Sequence, residues 1–229
     1  MLTDQSTETR AAAGAPRSPD AKFGVTVANE AAFSMDTVAP FRHNFDRQEP
    51  GTFLMNGFIF ISAPPSVTPF HIDREHNFWM QIRGRKTMNV WNADDRMMVS
   101  QPDVERFITY RSLENVKLRD AKLTGRSLEL DCGPGDGIYF PSTAPHATRC
   151  DPAWTTPVDD VAISIGINFY TPVTRQRANI HALNEMLRKL GLNPTFPGQS
   201  PALDSVKYPI AKACLAVQKM RGFEAPPGF

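Results

Sequence analysis

The sequence predicts a mainly β protein, an antiparallel barrel or sandwich that ends in helices. Three observations carry this. Strand-like runs come first and helical patterns last, without the strand–helix alternation of a doubly wound sheet. Residues 161–170 alternate: Val161, Ile163, Ile165, Ile167 and Phe169 stand against Ala162, Ser164, Gly166, Asn168 and Tyr170. The 20 prolines among 229 residues favour loops and β structure over long helices.

In chain order, residues 1–21 are rich in Ala, Ser, Thr, Pro and charge and read as a disordered leader. From Phe53 the chain turns strand-like. Phe58-Ile59-Phe60-Ile61-Ser62 is a short apolar run closed by Ala63-Pro64-Pro65, and residues 70–73 continue as strand. Residues 78–83 and 86–91 flank Gly84-Arg85 and predict a hairpin around a glycine turn. Ser100 as N-cap, Pro102 in the first turn and Val104, Phe107 and Ile108 on one side predict a short helix in an otherwise charged, loop-like stretch over 94–127. Residues 128–131 and 138–140 are short strands around the turn Gly133-Pro134-Gly135-Asp136-Gly137. Residues 174–190 are helical, with Ile180, Leu183, Leu187 and Leu190 on one stripe and Gly191 as the stop. A last helix fits 209–221, with Pro209 in its first turn, Ile210, Ala213, Val217 and Met220 on one face, and Gly222 after it. The domain organisation expected is a leader over 1–21, a barrel over 22–173 and a helical extension over 174–229.

Bulk properties exclude several classes. A formal charge of +1 gives no electrostatic footprint for nucleic acid or an anionic membrane. The 3 cysteines, Cys132, Cys150 and Cys214, are odd in number and lack CxxC spacing, which suits reduced thiols and a cytoplasmic protein. No stretch approaches the roughly 18–20 apolar residues of a transmembrane helix, and the N-terminus lacks a signal-type apolar core.

His71-Ile72-Asp73, followed much later by His146, is the pattern that points to chemistry. Two imidazoles and one carboxylate make a facial triad that holds non-haem Fe(II) and leaves positions open for substrate and oxygen. In an extended strand residues i and i+2 share a face, so His71 and Asp73 could grip one ion, with His146 reaching in from a neighbouring strand. A hydrogen-bonded His–Asp pair on a surface strand would use the same residues. The small face of 161–170, Ala162, Ser164, Gly166 and Asn168, costs packing unless a bound molecule fills the space beside it.

Thr68-Pro69-Phe70-His71-Ile72-Asp73, then Asn77, Gln81, Gly84 and Lys86, then Gly133-Pro134-Gly135-Asp136, His146 and Asn168-Phe169-Tyr170 together resemble the JmjC branch of the cupin superfamily. The blocks come closest to the part of that branch holding the asparaginyl hydroxylase of hypoxia-inducible factor and its bacterial cupin-like relatives. The resemblance runs from about Phe58 to Tyr170. It implies a double-stranded β-helix (cupin or jelly-roll) barrel and an Fe(II)- and 2-oxoglutarate-dependent dioxygenase, a hydroxylase of a protein side chain or small molecule. By position it implies iron ligands at His71, Asp73 and His146. It implies 2-oxoglutarate contacts at Lys86 and Thr68, and cofactor-site asparagines at Asn77 and Asn168. Without it, Lys86 would read as a solvated hairpin lysine.

Two other classes fit the same chain: a non-catalytic cupin-like metal-binding sensor or regulator, and a cupin using another divalent metal for isomerase or lyase chemistry. His43 and His181 read as surface residues, and His76 as a surface or supporting group. Glu75 reads as a supporting acid or a loop residue. Trp79, Trp91 and Tyr170 read as core or pocket wall. The partners expected are 2-oxoglutarate, O2 and an unidentified substrate, and the terminal helices allow a homodimer.

Overall fold

The computed structural model describes residues 47, 49–154, 160–225 and 228–229. The leader predicted over 1–21, and His43, lie outside them. Eight strands follow in order: β1 (Phe53–Ser62), β2 (Ser66–His71), β3 (His76–Arg83), β4 (Lys86–Val90), β5 (Leu128–Cys132), β6 (Gly137–Phe140), β7 (His146–Cys150) and β8 (Ala162–Tyr170). Among the described residues three α-helices, α1 (Gln101–Tyr110), α2 (Pro172–Lys189) and α3 (Pro201–Met220), and two short 3-10 turns, Ala121–Arg126 and Pro152–Trp154, accompany them.

The strands form two four-stranded sheets, ordered β1-β8-β3-β6 and β2-β7-β4-β5. Every pairing is antiparallel. The chain crosses from one sheet to the other at almost every connection, and β4–β5 are the one consecutive pair that stay neighbours. This is the double-stranded β-helix of a cupin barrel. The strand order alone identifies it.

That winding corrects the predicted hairpin. β3 pairs with β6 and β8, whereas β4 pairs with β5 and β7, so Gly84-Arg85 joins two sheets and not two partners. Gly84 has φ +67°, and a Cβ there would lie 2.8 Å from the Val161 carbonyl oxygen. The chain turns the barrel corner against β8 where only glycine fits. The Gly-rich turn at 133–136 does the same work on the facing edge. Gly135 N–H donates to Gln81 O and Gln81 N–H to Asp136 O, both at 2.9 Å.

Three apolar clusters hold the sheets. Trp79, Met88, Cys132, Phe140 and Ala144 pack inside the barrel. Met55, Ile167 and Phe169 pack with Phe78, Met80 and Ile165 on the bulky face of β8, so its small face turns inward. Ile72 and Trp91 join Val104, Phe107 and Ile108 of α1, Ala178 of α2 and Phe196. The helix predicted from Ser100 is therefore present, with Val104 fully buried at 0% exposure.

α2 begins earlier than predicted because Thr171 and Thr174 exchange side-chain-to-backbone hydrogen bonds, a capping box ahead of the apolar stripe. α3 also begins earlier. Ser200 caps it, Pro201 occupies the first turn, and Pro209 lies inside the helix on an exposed position, where the carbonyl it frees can meet water. The stripe assigned to this helix lies outward: Ile210, Val217 and Met220 are exposed, while Ala211 and Leu215 are buried.

Candidate metal centre

β2 ends at His71, and β7 begins at His146. The two are directly opposed in the β2–β7 pairing, which sets their ring centroids 4.1 Å apart. Asp73 is not in a strand, contrary to the geometric expectation. It sits in the turn after β2, where its carbonyl oxygen accepts from Thr143 N–H at 2.8 Å. Thr143 has φ 65°, a conformation a threonine adopts only where its surroundings enforce it. The loop before β7 is thus tied to the residue that must meet His146. One Asp73 oxygen lies 3.4 Å from His146 Nε2 and the other 3.9 Å from His71 Nε2. Among the described residues these three form the group whose ligand atoms all lie within 4.8 Å of one another.

The imidazoles are oriented for metal binding. His71 Nδ1 lies 2.7 Å from the Pro69 carbonyl oxygen, and His146 Nδ1 lies 3.0 Å from that of Ala144. A carbonyl only accepts, so each Nδ1 carries the proton and each Nε2 keeps its lone pair toward Asp73. Burial, reinforced by the neighbouring His146, holds His71 below its ordinary pKa, against the opposing pull of Asp73. The ring stays neutral and able to ligate at neutral pH. Burial by itself would raise the Asp73 carboxyl. Its contacts with His146, His71 and Asn77 outweigh that and hold it below the usual value, so it stays ionised.

The triad lines a cavity of about 350 Å³, and the other four residues singled out by sequence, Thr68, Asn77, Lys86 and Asn168, line the same cavity. Lys86 is the first residue of β4, 4% exposed, and is no solvated lysine. Burial lowers its pKa, with a small opposing effect from Cys150, and no carboxylate among the described residues pairs with it. Asn77 and Asn168 are register partners across β3 and β8, and the amide oxygen of each is buried without a hydrogen-bond partner among the described residues. Gly166 lies beside them. A Cβ there would stand 3.6 Å from both amide oxygens and 3.0 Å from the Phe60 ring. The inward face of β8 expected to border a bound molecule does so at Asn168. Farther along, Ser164 is instead satisfied within the wall by Gln81 Oε1 at 2.9 Å. Thr68 is exposed and stands at the rim. Phe58, Phe60, Trp79, Met88 and Phe140 supply apolar wall.

The other two described histidines, His76 and His181, lie away from this cavity. His76 is half-buried, stacked 5.3 Å from Phe169, with Nδ1 2.7 Å from the Tyr139 hydroxyl, and burial pushes it down to about 4. His181 is not on the surface as predicted: it is 4% exposed and burial pushes it down to about 3. α2 packs between α1 and α3, so Asn179, His181 and Asn184 are buried along with Ile180 and Leu183, whereas Leu187 is half-buried and Leu190, assigned to the same stripe, is exposed. Glu75 accepts a hydrogen bond from the Tyr170 hydroxyl and does not reach the triad.

No family model matches the sequence, and no curated protein does. Solved structures do. Escherichia coli YcfD is 20% identical over 78% of this chain and 43% of its own, with a TM-score of 0.40. A second YcfD structure, described as a ribosomal oxygenase, gives 18% identity over 78% and 41%, with a TM-score of 0.37. DMSP lyase DddQ from Ruegeria pomeroyi DSS-3 is 14% identical over 50% of this chain and 37% of its own, with a TM-score of 0.30. The chain therefore spans less than half the length of these three. Among the described residues, no helix is long and apolar enough to cross a membrane.

Proposed function

We propose that the cavity is the active site of an Fe(II)- and 2-oxoglutarate-dependent dioxygenase that hydroxylates a protein side chain or a small molecule. One observation carries this reading: a buried lysine, without a carboxylate partner among the described residues, shares an open, apolar-walled cavity with an oriented two-histidine, one-carboxylate set. The donor set suits iron, because imidazole and carboxylate in a facial arrangement leave other positions free. The charge suits a dianion. A divalent ion on two neutral imidazoles and one carboxylate keeps a net positive charge, and Lys86 adds another.

His71, Asp73 and His146 would hold the metal, and the two backbone carbonyls would fix the ring planes. Lys86 would pair with the distal carboxylate of 2-oxoglutarate as a charge-assisted hydrogen bond, with Thr68 giving it direction from the rim. The amide oxygens of Asn77 and Asn168 would be completed by the cavity's contents, each accepting from a water or a ligand donor, while the Asn77 amide keeps its bond to Asp73. Phe60, Trp79, Met88 and Phe140 would keep bulk water out, which strengthens these electrostatic contacts. With oxygen, iron and 2-oxoglutarate supply oxidative decarboxylation coupled to C–H hydroxylation.

The test is anaerobic addition of Fe(II) and then 2-oxoglutarate to the purified chain. A weak metal-to-ligand absorption band in the visible is expected, and its absence with metal bound would overturn the assignment. Succinate release that depends on an added substrate separates an enzyme from a metal-binding sensor. The exposed stripe Val206, Ile210, Val217 and Met220 on α3 supports a homodimer through this helix.

A further inference from the structure

A second cavity, of about 310 Å³, shares no lining residue with the first. The turn after β2 and the loop before β7 stand between them. Asp73 lines one side, and Arg74, Ser142 and Thr143 line the other. The wall is tied by Thr143 N–H to Asp73 O and by Ser142 Oγ to Arg74 O, each at 2.8 Å.

Arg74 is 6% exposed, yet its Nε and Nη2 atoms have no hydrogen-bond partner among the described residues. These two atoms are one edge of the guanidinium, whose parallel N–H bonds match two oxygens of a single carboxylate or phosphate. The face of the group lies over the Phe229 ring, 5.3 Å from its centroid, so apolar contact is already provided there. No carboxylate among the described residues forms an ion pair with it: Glu75, engaged by Tyr170, favours its charge only from a distance, and burial together with Arg111 outweighs that. A buried cation without a partner is strongly unfavourable, and a guanidinium does not escape by losing its proton. His181 lines the same cavity, 4% exposed, and its Nδ1 is also unpartnered. The other charged residues of the lining, Glu49, Asp94 and Arg177, are exposed, and Asp94 sits 3.8 Å from Arg96. The buried charge is that of Arg74.

We infer that this second cavity binds a small oxyanion, a carboxylate or a phosphate group, on the Nε–Nη2 edge of Arg74. This site is separate from the metal centre and does not depend on the oxygenase reading.

Thermal unfolding of the full chain, titrated with sodium acetate and separately with sodium phosphate against sodium chloride of equal ionic strength, tests it. A saturable rise in melting temperature is expected with one or both oxyanions and not with chloride, and the stronger of the two names the ligand class. The rise should survive Lys86→Met, which removes the other buried cation, and vanish in Arg74→Met. Without oxyanion, Arg74→Met should melt no lower than the parent, since it replaces an unpaired charge with an apolar chain. Should Arg74→Met not fold, Arg74→Lys keeps the charge and loses the parallel edge. The anion concentration at half-effect should then rise about ten-fold or more. A shift absent with both oxyanions, retained in both Arg74 variants, or lost in Lys86→Met would overturn the inference.

Discussion

Replacing Lys86 with methionine should move two quantities in opposite directions. Lys86 is 4% exposed and has no carboxylate partner among the described residues, and its pKa is depressed by burial, so without a bound anion its charge would be uncompensated. Methionine keeps the buried stem and removes that charge. The metal-free variant should therefore be at least as stable as the parent, by up to about 1–2 kcal/mol. Binding of 2-oxoglutarate should weaken. A hydrogen bond to a charged group is worth about 1.5–3 kcal/mol, which predicts a loss of roughly 10- to 150-fold in affinity. Anaerobic titration with 2-oxoglutarate at saturating Fe(II), read in the visible, gives that affinity. Calorimetry without metal gives the stability. Fe(II) affinity itself should stay within a few-fold, because Lys86 is not in the ligand group. An unchanged 2-oxoglutarate affinity, or a metal-free variant that melts several degrees lower, would refute the role assigned to the buried charge.

Three further outcomes are expected. Fe(II) should raise the melting temperature of the parent, by about 2.7 kcal/mol of stability at one hundred times Kd, and His71→Ala and His146→Ala should abolish that gain while chelator removes it from the parent. Acidification should destabilise the fold in a defined window. His181 is held at about 3 against 6.5, so the unfolded chain takes up a proton that the folded chain refuses. Its contribution is intact above pH 6.5 and falls by about 1.4 kcal/mol per unit down to about pH 3, roughly 5 kcal/mol in all, and urea midpoints in His181→Leu should lose this part of the slope. Val206→Glu with Ile210→Glu should convert a dimer to a monomer in light scattering with little change in melting temperature, since both positions are exposed on α3. A mass that does not change between parent and variant would refute the helical interface.

The triad was legible mainly through the resemblance of the blocks around it, since His71-Ile72-Asp73 alone fits a surface His–Asp pair equally well, and part of the geometric reason offered for it fails. His71 ends a strand and Asp73 sits in a turn, so strand alternation does not explain their convergence. The β2–β7 register and the bond from Thr143 to the Asp73 carbonyl do. β7 itself was not assigned, because His146-Ala147-Thr148-Arg149-Cys150 has no bulky apolar alternation. It is a strand through pairing with β2 and β4. The Gly84 turn looked like a hairpin because local turn chemistry is the same whether a chain reverses within a sheet or crosses to another. The partner choice is made by β8. Pro209 masked the continuity of α3, since a proline in a first turn and one on an exposed helical face read alike. Arg74 and His181 gave no signal at all. Burial of an isolated polar side chain depends on which helices close over it, and that is a tertiary fact.

The groups that orient His71 and His146 are main-chain carbonyls, of Pro69 and Ala144. No substitution of a side chain can delete them. In a site whose orienting groups are carboxylates, mutational drift in the surroundings can detune the metal. Here the ligand geometry is buffered against that drift. The walls that would meet a substrate, Phe58, Ile61 and Val67 among them, are free to change without disturbing it. Such a barrel could change its cavity walls over evolutionary time while keeping the arrangement of His71, Asp73 and His146.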